Sequence, residues 1–397
     1  MVYLLTGALA LACVMIAESA RPGRQNLLWA LAFLALWLPA ALRVDVGVDY
    51  SRYQGYRELY LIYALGGELP QGMDVGFVAL VRLLAAVGAD AQWLFVVTSA
   101  LVVGLTLRAC RRLSDEPTMS VALFLAAGLY LESLNIIRQW IAIACVLNAL
   151  GWVADDGPCR RRSLPRYCAW VLAGSLFHET CLVWLALWPA FALLRRRMTG
   201  RRALVLLASL VLGALVLGEL APKLLVVTRF GRYLVPGSGD RAGPEARLET
   251  IGTGVVMLAF VLWAQRRLRR QSRRHDTYIC VASDGVPAEK CRAIDDVRAR
   301  RTGMPMGEWD ACLLVCQVVG VALALSGAFL PSIVDRVTRY FVPLLILQLP
   351  RAVAAVDDED LRDAICLAIL ACWIVVTFVR VWYGGQYGVL PYRCLLF

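Results

Sequence analysis

The chain has 397 residues, 60% of them hydrophobic, with a mean hydropathy of +0.64 and a formal net charge of +11. This composition excludes a soluble globular protein, and continuous apolar runs in place of short alternating ones exclude a β-barrel. The basic excess would point to nucleic acid in a soluble chain; here it sits in short loops between apolar runs and sets membrane orientation, so no nucleic-acid partner is expected.

The predicted fold is an all-α polytopic integral membrane protein, a single membrane domain over residues 1–397. Apolar runs lie near 1–17, 27–42, 91–109, 117–133, 136–153, 166–177, 180–194, 203–219, 251–265, 309–329, 341–355 and 364–382. They give about twelve transmembrane helices. The first run has no basic segment before it and reads as a span, not a cleaved signal. The two runs flanking Phe177-His178 are short enough to form a re-entrant pair instead of two crossings.

Residues 43–90 lack a clean span. Tyr50, Tyr53, Tyr56 and Tyr60, with Arg52, Arg57 and Glu58 between them, predict an amphipathic helix at the membrane interface. It serves as an aromatic anchor, a platform for a lipid substrate, or both. Gly66-Gly67 should end it, and 74–87 should form a second interfacial helix with Arg82 on its polar side.

Arg21 and Arg24 place the first loop in the cytoplasm and the N-terminus outside. Alternation then makes 108–116, 154–166, 195–202, 266–308 and 351–363 cytoplasmic, which collects 27 of the 41 basic residues on that side. The 266–308 loop holds Arg266, Arg267, Arg269, Arg270, Arg273 and Arg274 and should attract anionic headgroups. The remaining loops, among them 43–90 and 220–250, face the periplasm, as do both termini. They carry 14 basic residues that topology alone does not ask for.

Arg138 is one of these, between apolar runs in Asn135-Ile136-Ile137-Arg138-Gln139-Trp140. An arginine deep in hydrocarbon costs about 2.5–3.5 kcal/mol on insertion scales. It either snorkels to headgroups or binds an anion at a cavity mouth. The other outward arginines, with Asp45, Asp49, Asp74, His178 and Glu179, favour the cavity. His178 in Phe177-His178-Glu179-Thr180 reads as a packing residue or, opposite arginines, as a base. The 13 cysteines form no disulfide framework, and Cys312 and Cys316 lack the further ligands of a zinc site. Asp45 and Asp49 could hold a divalent cation, but no metal or other cofactor is expected.

Several stretches together resemble the EpsG-like group of Wzy-type polysaccharide polymerases. Arg43 to Tyr53, Asp74-Val75-Gly76-Phe77, Ile137-Arg138-Gln139, Phe177-His178, Arg336 to Phe341 and Pro391-Tyr392-Arg393 follow the family's order over nearly the whole chain. The family more often has Glu at position 74. The 266–308 insert has no counterpart.

The resemblance implies a GT-C-like glycosyltransferase of the bacterial inner membrane. It would join glycan repeat units carried on undecaprenyl pyrophosphate, beside a flippase and a chain-length regulator of the same pathway. Pyrophosphate leaves unprotonated, so the reaction needs cationic donors and one general base, and no nucleotide. Arg138 and Arg336 are assigned to pyrophosphate, then Arg43, Arg229, Arg232 and Arg339. His178 is the first candidate base, followed by Asp49 and Glu179. Tyr50, Tyr53, Gln139, Tyr340, Tyr392 and Arg393 are further substrate contacts. The competing readings are a glycan ligase on the same donor and a glycolipid transporter, although no inverted repeat is apparent.

Overall fold

The computed structural model describes residues 1–51, 55–68, 73–156, 163–194, 306–327, 336–354 and 358–395, with 259 and 356 as single positions. Among them the regular structure is helical, with one isolated bridge between Arg43 and Cys394 and no strand. The chain divides into two compact units. The first is Met1–Asn148, Trp170–Cys181 and Asp357–Phe397; the second is Ala149–Ala169 and Leu182–Val356.

In the first unit, α1 (Val2–Ser19), α2 (Pro22–Leu42), α6 (Gln92–Leu113), α7 (Pro117–Ala126) and α14 (Glu359–Phe378) pack in neighbouring pairs. Small residues let α1 and α2 approach closely. The buried stripe of α1 is Gly7, Ala10, Cys13, Val14 and Ala17, and that of α2 includes Ala32, Ala35 and Ala40. Leu4, Leu5, Leu9, Met15 and Ile16 of α1 point outward, as a lipid-facing surface requires. No residue of α14 is buried.

Among the described residues four helices are long and apolar enough to cross a membrane: α1, α2, α6, and α14 extended by a π-turn to Tyr383. The chain is an all-α membrane protein, but the expected count of about twelve spans does not carry over. The predicted run 117–133 breaks at Gly128 (φ 70°) into α7 and α8 (Leu129–Ser133). The run 180–194 is a 3₁₀ helix, Glu179–Ala186, followed by the short α11 (Leu187–Leu194). The run 341–355 is a single 3₁₀ turn and the ten-residue α13 (Leu345–Ala354). The runs 203–219 and 251–265, like the loops 220–250 and 266–308, lie outside the described residues, apart from 259 and the start of α12 (Met306–Gly327).

Polar contacts identify the two ends of the first unit. At one end Glu18 accepts from Thr118 N–H (3.0 Å) and Asn26 from Arg111 (2.7 Å). At the other, Gln92 donates to Ala41 O (2.5 Å), Tyr392 to Pro39 O (3.2 Å) and Tyr3 to Val389 O (3.4 Å). Arg21, Arg24 and Arg111 therefore belong to one end, and Arg43 and Arg393 to the other.

The predicted interfacial helices exist as the short α3 (Val48–Ser51), α4 (Tyr56–Ala64) and α5 (Val75–Ala86). Gly66 ends α4's turn at φ 90°, and Arg82 is exposed on α5. The described tyrosines of this stretch turn inward instead of forming an outer belt. Tyr50, Tyr56 and Tyr60 are buried, Tyr50 stacks on Phe95 (4.4 Å), and Tyr60 donates to Ala89 O (2.5 Å).

The second unit centres on aromatic packing. Tyr167 donates to Trp184 O (2.7 Å), Trp184 stacks on Phe341 (5.0 Å, 24°), and Gln348 of α13 donates to Leu313 O of α12 (2.9 Å). A Cβ at Gly320 would lie 2.7 Å from Phe341 Cβ, so glycine allows that ring to seat on α12.

Candidate functional site

Three motifs remote in sequence meet in the first unit: Asp74-Val75-Gly76-Phe77, Ile137-Arg138-Gln139 and Phe177-His178. Arg138 lies in the first turn of α9 (Ile137–Asp156), where its guanidinium reaches Asp74 Oδ2 at 2.6 Å. It also sits over the rings of Phe77 (5.6 Å) and Tyr56 (5.9 Å), and its Nε approaches Tyr56 OH at 3.4 Å. Arg138 therefore does not snorkel along an apolar surface. A carboxylate and two rings fix its plane, and about a quarter of the side chain stays exposed.

Asp74 precedes α5 at the N-cap position but makes no side-chain cap to that helix. Its second oxygen, Oδ1, accepts Glu179 N–H at 3.2 Å. The backbone reinforces this link, because Gly76 N–H donates to Leu176 O at 2.7 Å. Position 76 must be glycine for that approach: a Cβ would meet Leu176 Cβ at 2.8 Å and its carbonyl oxygen at 2.9 Å.

His178 is buried between α10 (Ser163–Ser175) and the 3₁₀ helix, its Nδ1 2.6 Å from Thr180 Oγ1. An eight-residue 3₁₀ run is long for that geometry. It begins at Glu179, where Asp74 grips the backbone. Sequence reading missed Thr180 and the double contact of Asp74. The first signal was a hydroxyl two residues after the histidine; the second was an acidic residue that looks like an ordinary cap.

The first and last motifs also meet. Val44 N–H donates to Arg393 O (3.0 Å), Gly47 N–H to Gly388 O (2.9 Å) and Leu395 N–H to Leu42 O (3.1 Å). Asn135 Oδ1 accepts Val48 N–H at 2.6 Å, which ties this pair to the turn before Arg138. Arg43 is 1% exposed and donates to Leu134 O (2.9 Å) and Ala40 O (3.3 Å), over the ring of Phe95. Burial pushes its pKa down to about 10, opposed by nearby tyrosines including Tyr3 and Tyr130, so it stays charged at neutral pH. It lines a small cavity of about 10 Å³ with Thr98, Ser99 and Ser133, and its buried Nε has no hydrogen-bond partner among the described residues. These bonds make Arg43 a strut between helices.

Asp49 is half-buried on α3, and Tyr50 is packed against Phe95. Gln139 is buried. Tyr392 and Arg393 lie in the C-terminal segment, with Arg393 3.5 Å from the exposed Asp45. Arg336, Arg339 and Tyr340 belong to the second unit; Tyr340 is buried and Arg339 exposed. Tyr53, Arg229 and Arg232 lie outside the described residues. Among the described residues no three His, Cys, Asp or Glu side chains cluster as a metal site would require.

Comparison with curated proteins and with solved structures gives no match. The model of the EpsG family matches residues 26–394, which takes in all the motifs above, and the chain belongs to the EpsG family.

Proposed function

We propose that the protein is a polysaccharide polymerase that joins glycan repeat units carried on undecaprenyl pyrophosphate at the periplasmic face of the bacterial inner membrane. Membership of the EpsG family supports a polymerase-like glycosyltransferase. The fixed guanidinium of Arg138 beside the His178 turn is the observation that carries the finer reading.

In the proposed reaction an acceptor sugar hydroxyl attacks the anomeric carbon of the donor. The bond from that carbon to the pyrophosphate oxygen breaks, and pyrophosphate leaves with the electron pair on its lipid. Arg138 stabilises the charge developing on the phosphates. His178 takes the hydroxyl proton on Nε2, with Nδ1–H donated to Thr180 Oγ1. Removing one preorganised donor from such a site typically costs about 2.7–4 kcal/mol. Asp49 and Glu179 are the alternative bases.

Purified protein in liposomes, given undecaprenyl-pyrophosphate-linked repeat units, should produce a ladder of products differing by one repeat. A single transfer onto a distinct acceptor would make it a ligase. Translocation of the lipid without a new glycosidic bond would make it a transporter.

A further inference from the structure

An aspartate at a helix N-cap ordinarily accepts from the helix's own first turn, and replacing such a cap by alanine costs about 1 kcal/mol. Asp74 stands at that position before α5 and makes no such bond. Its two oxygens leave the helix, one for Arg138 Nη1 (2.6 Å) and the other for Glu179 N–H (3.2 Å). The carboxylate is buried, so forgoing the local cap is compensated by an ion pair and a charge-assisted bond in a water-poor setting. Gly76, two residues on, donates its N–H to Leu176 O and leaves no room for a side chain. The first turn of α5 is thus seated against 176–179 by one side chain and one backbone bond, while the same side chain holds Arg138.

We propose that Asp74 is a positioning residue that fixes Arg138 and the His178 turn relative to one another. This rests on the polymerase reading, in which Arg138 faces the leaving group and His178 the attacking hydroxyl. Displacing either by about 1 Å from a near-attack arrangement can cost about 100-fold in rate. Asn at position 74 would still accept from Glu179 N–H through its carbonyl oxygen, but its NH₂ would face a guanidinium that also only donates. Glu keeps the carboxylate on a stem one methylene longer.

The test uses full-length protein in nanodiscs: wild type, Asp74→Asn, Asp74→Glu, Arg138→Lys and the Asp74→Asn/Arg138→Lys double variant. Single-turnover formation of the first bond between two lipid-linked repeat units is measured beside donor-lipid titration and melting temperature. Asp74→Asn should lose about 100-fold in rate at saturating donor, with little change in melting temperature, and Asp74→Glu should regain part of that loss. The double variant should fall within about threefold of the slower single variant, because both changes act through one guanidinium. Multiplied losses in the double variant overturn the proposal, as does a wild-type rate in Asp74→Asn. A loss explained by unfolded protein, or failure of every Asp74 variant to insert, makes Asp74 a folding residue and also overturns it. A wild-type chain that joins no repeat units overturns the polymerase reading, and this inference with it.

Discussion

Arg138 shows how a membrane arginine is made specific. Its charge is paired with Asp74, its plane is set by Phe77 and Tyr56, and part of its edge remains accessible. Lysine would keep the charge but not the planar fork. Arg138→Lys should therefore lower the rate of repeat-unit joining about 100-fold or more while the protein still inserts; unchanged ladder formation would sink the phosphate assignment. His178 depends similarly on Thr180 for its ring orientation. His178→Gln should abolish chain extension with donor binding retained, and Thr180→Val should give a milder loss of about tenfold by freeing the ring. If Thr180→Val matches wild type while Asp49→Asn is inactive, the base is Asp49 and His178 is a packing residue.

Between elements, the first and last motifs act as one clamp. Gly47 has φ +103°, and a Cβ there would lie 3.1 Å from Asn135 Oδ1 and 3.3 Å from Leu134 O. Gly47→Ala should thus destabilise by about 1–2 kcal/mol from the left-handed backbone alone and loosen the turn that precedes Arg138. Differential scanning fluorimetry in detergent would show a lower melting temperature for Gly47→Ala. Gly23→Ala should show none, since position 23 lies near the start of α2 with nothing within 4 Å. Equal behaviour of the two variants would mean that the clamp contributes no stability.

Across the first unit, the helices alternate between an end holding Arg21, Arg24 and Glu116 and an end holding Asp45, Asp90 and Arg393. We propose, from the positive charge in its loops, that the first end faces the cytoplasm. In a variant whose own cysteines are replaced by alanine, single cysteines at Asp45 and Asp90 should react with a membrane-impermeant maleimide in intact spheroplasts. Cysteines at Arg24 and Glu116 should react only after lysis. Labelling of Asp45 and Glu116 positions from the same side would end the case for a periplasmic site.

The sequence by itself determined the membrane class, the family, and the apolar runs that become α1, α2, α6 and α14, though not where each of those helices begins and ends. Apolar run length and loop charge are local quantities, and the bilayer reads them directly. It did not determine how many apolar runs form full crossings. Run length ignores a left-handed Gly128, or a 3₁₀ stretch beginning at Glu179, that shortens a helix within an apolar segment. Nor did it assign partners. Arg43 and Arg138 are both outward arginines in the sequence, yet backbone carbonyls bury the first as a strut, while Asp74 holds the second partly open. Tyr50 and Tyr60 follow the spacing of an interfacial belt, yet packing on α6 and its approach loop turns them inward. Asp74 stands in the sequence as one of several acidic residues of the outward loops, with no partner assigned to it. Only the folded chain brings Arg138 and Glu179, 64 and 105 positions away, within reach of its two oxygens, where an ion pair and a backbone donor outcompete the local cap.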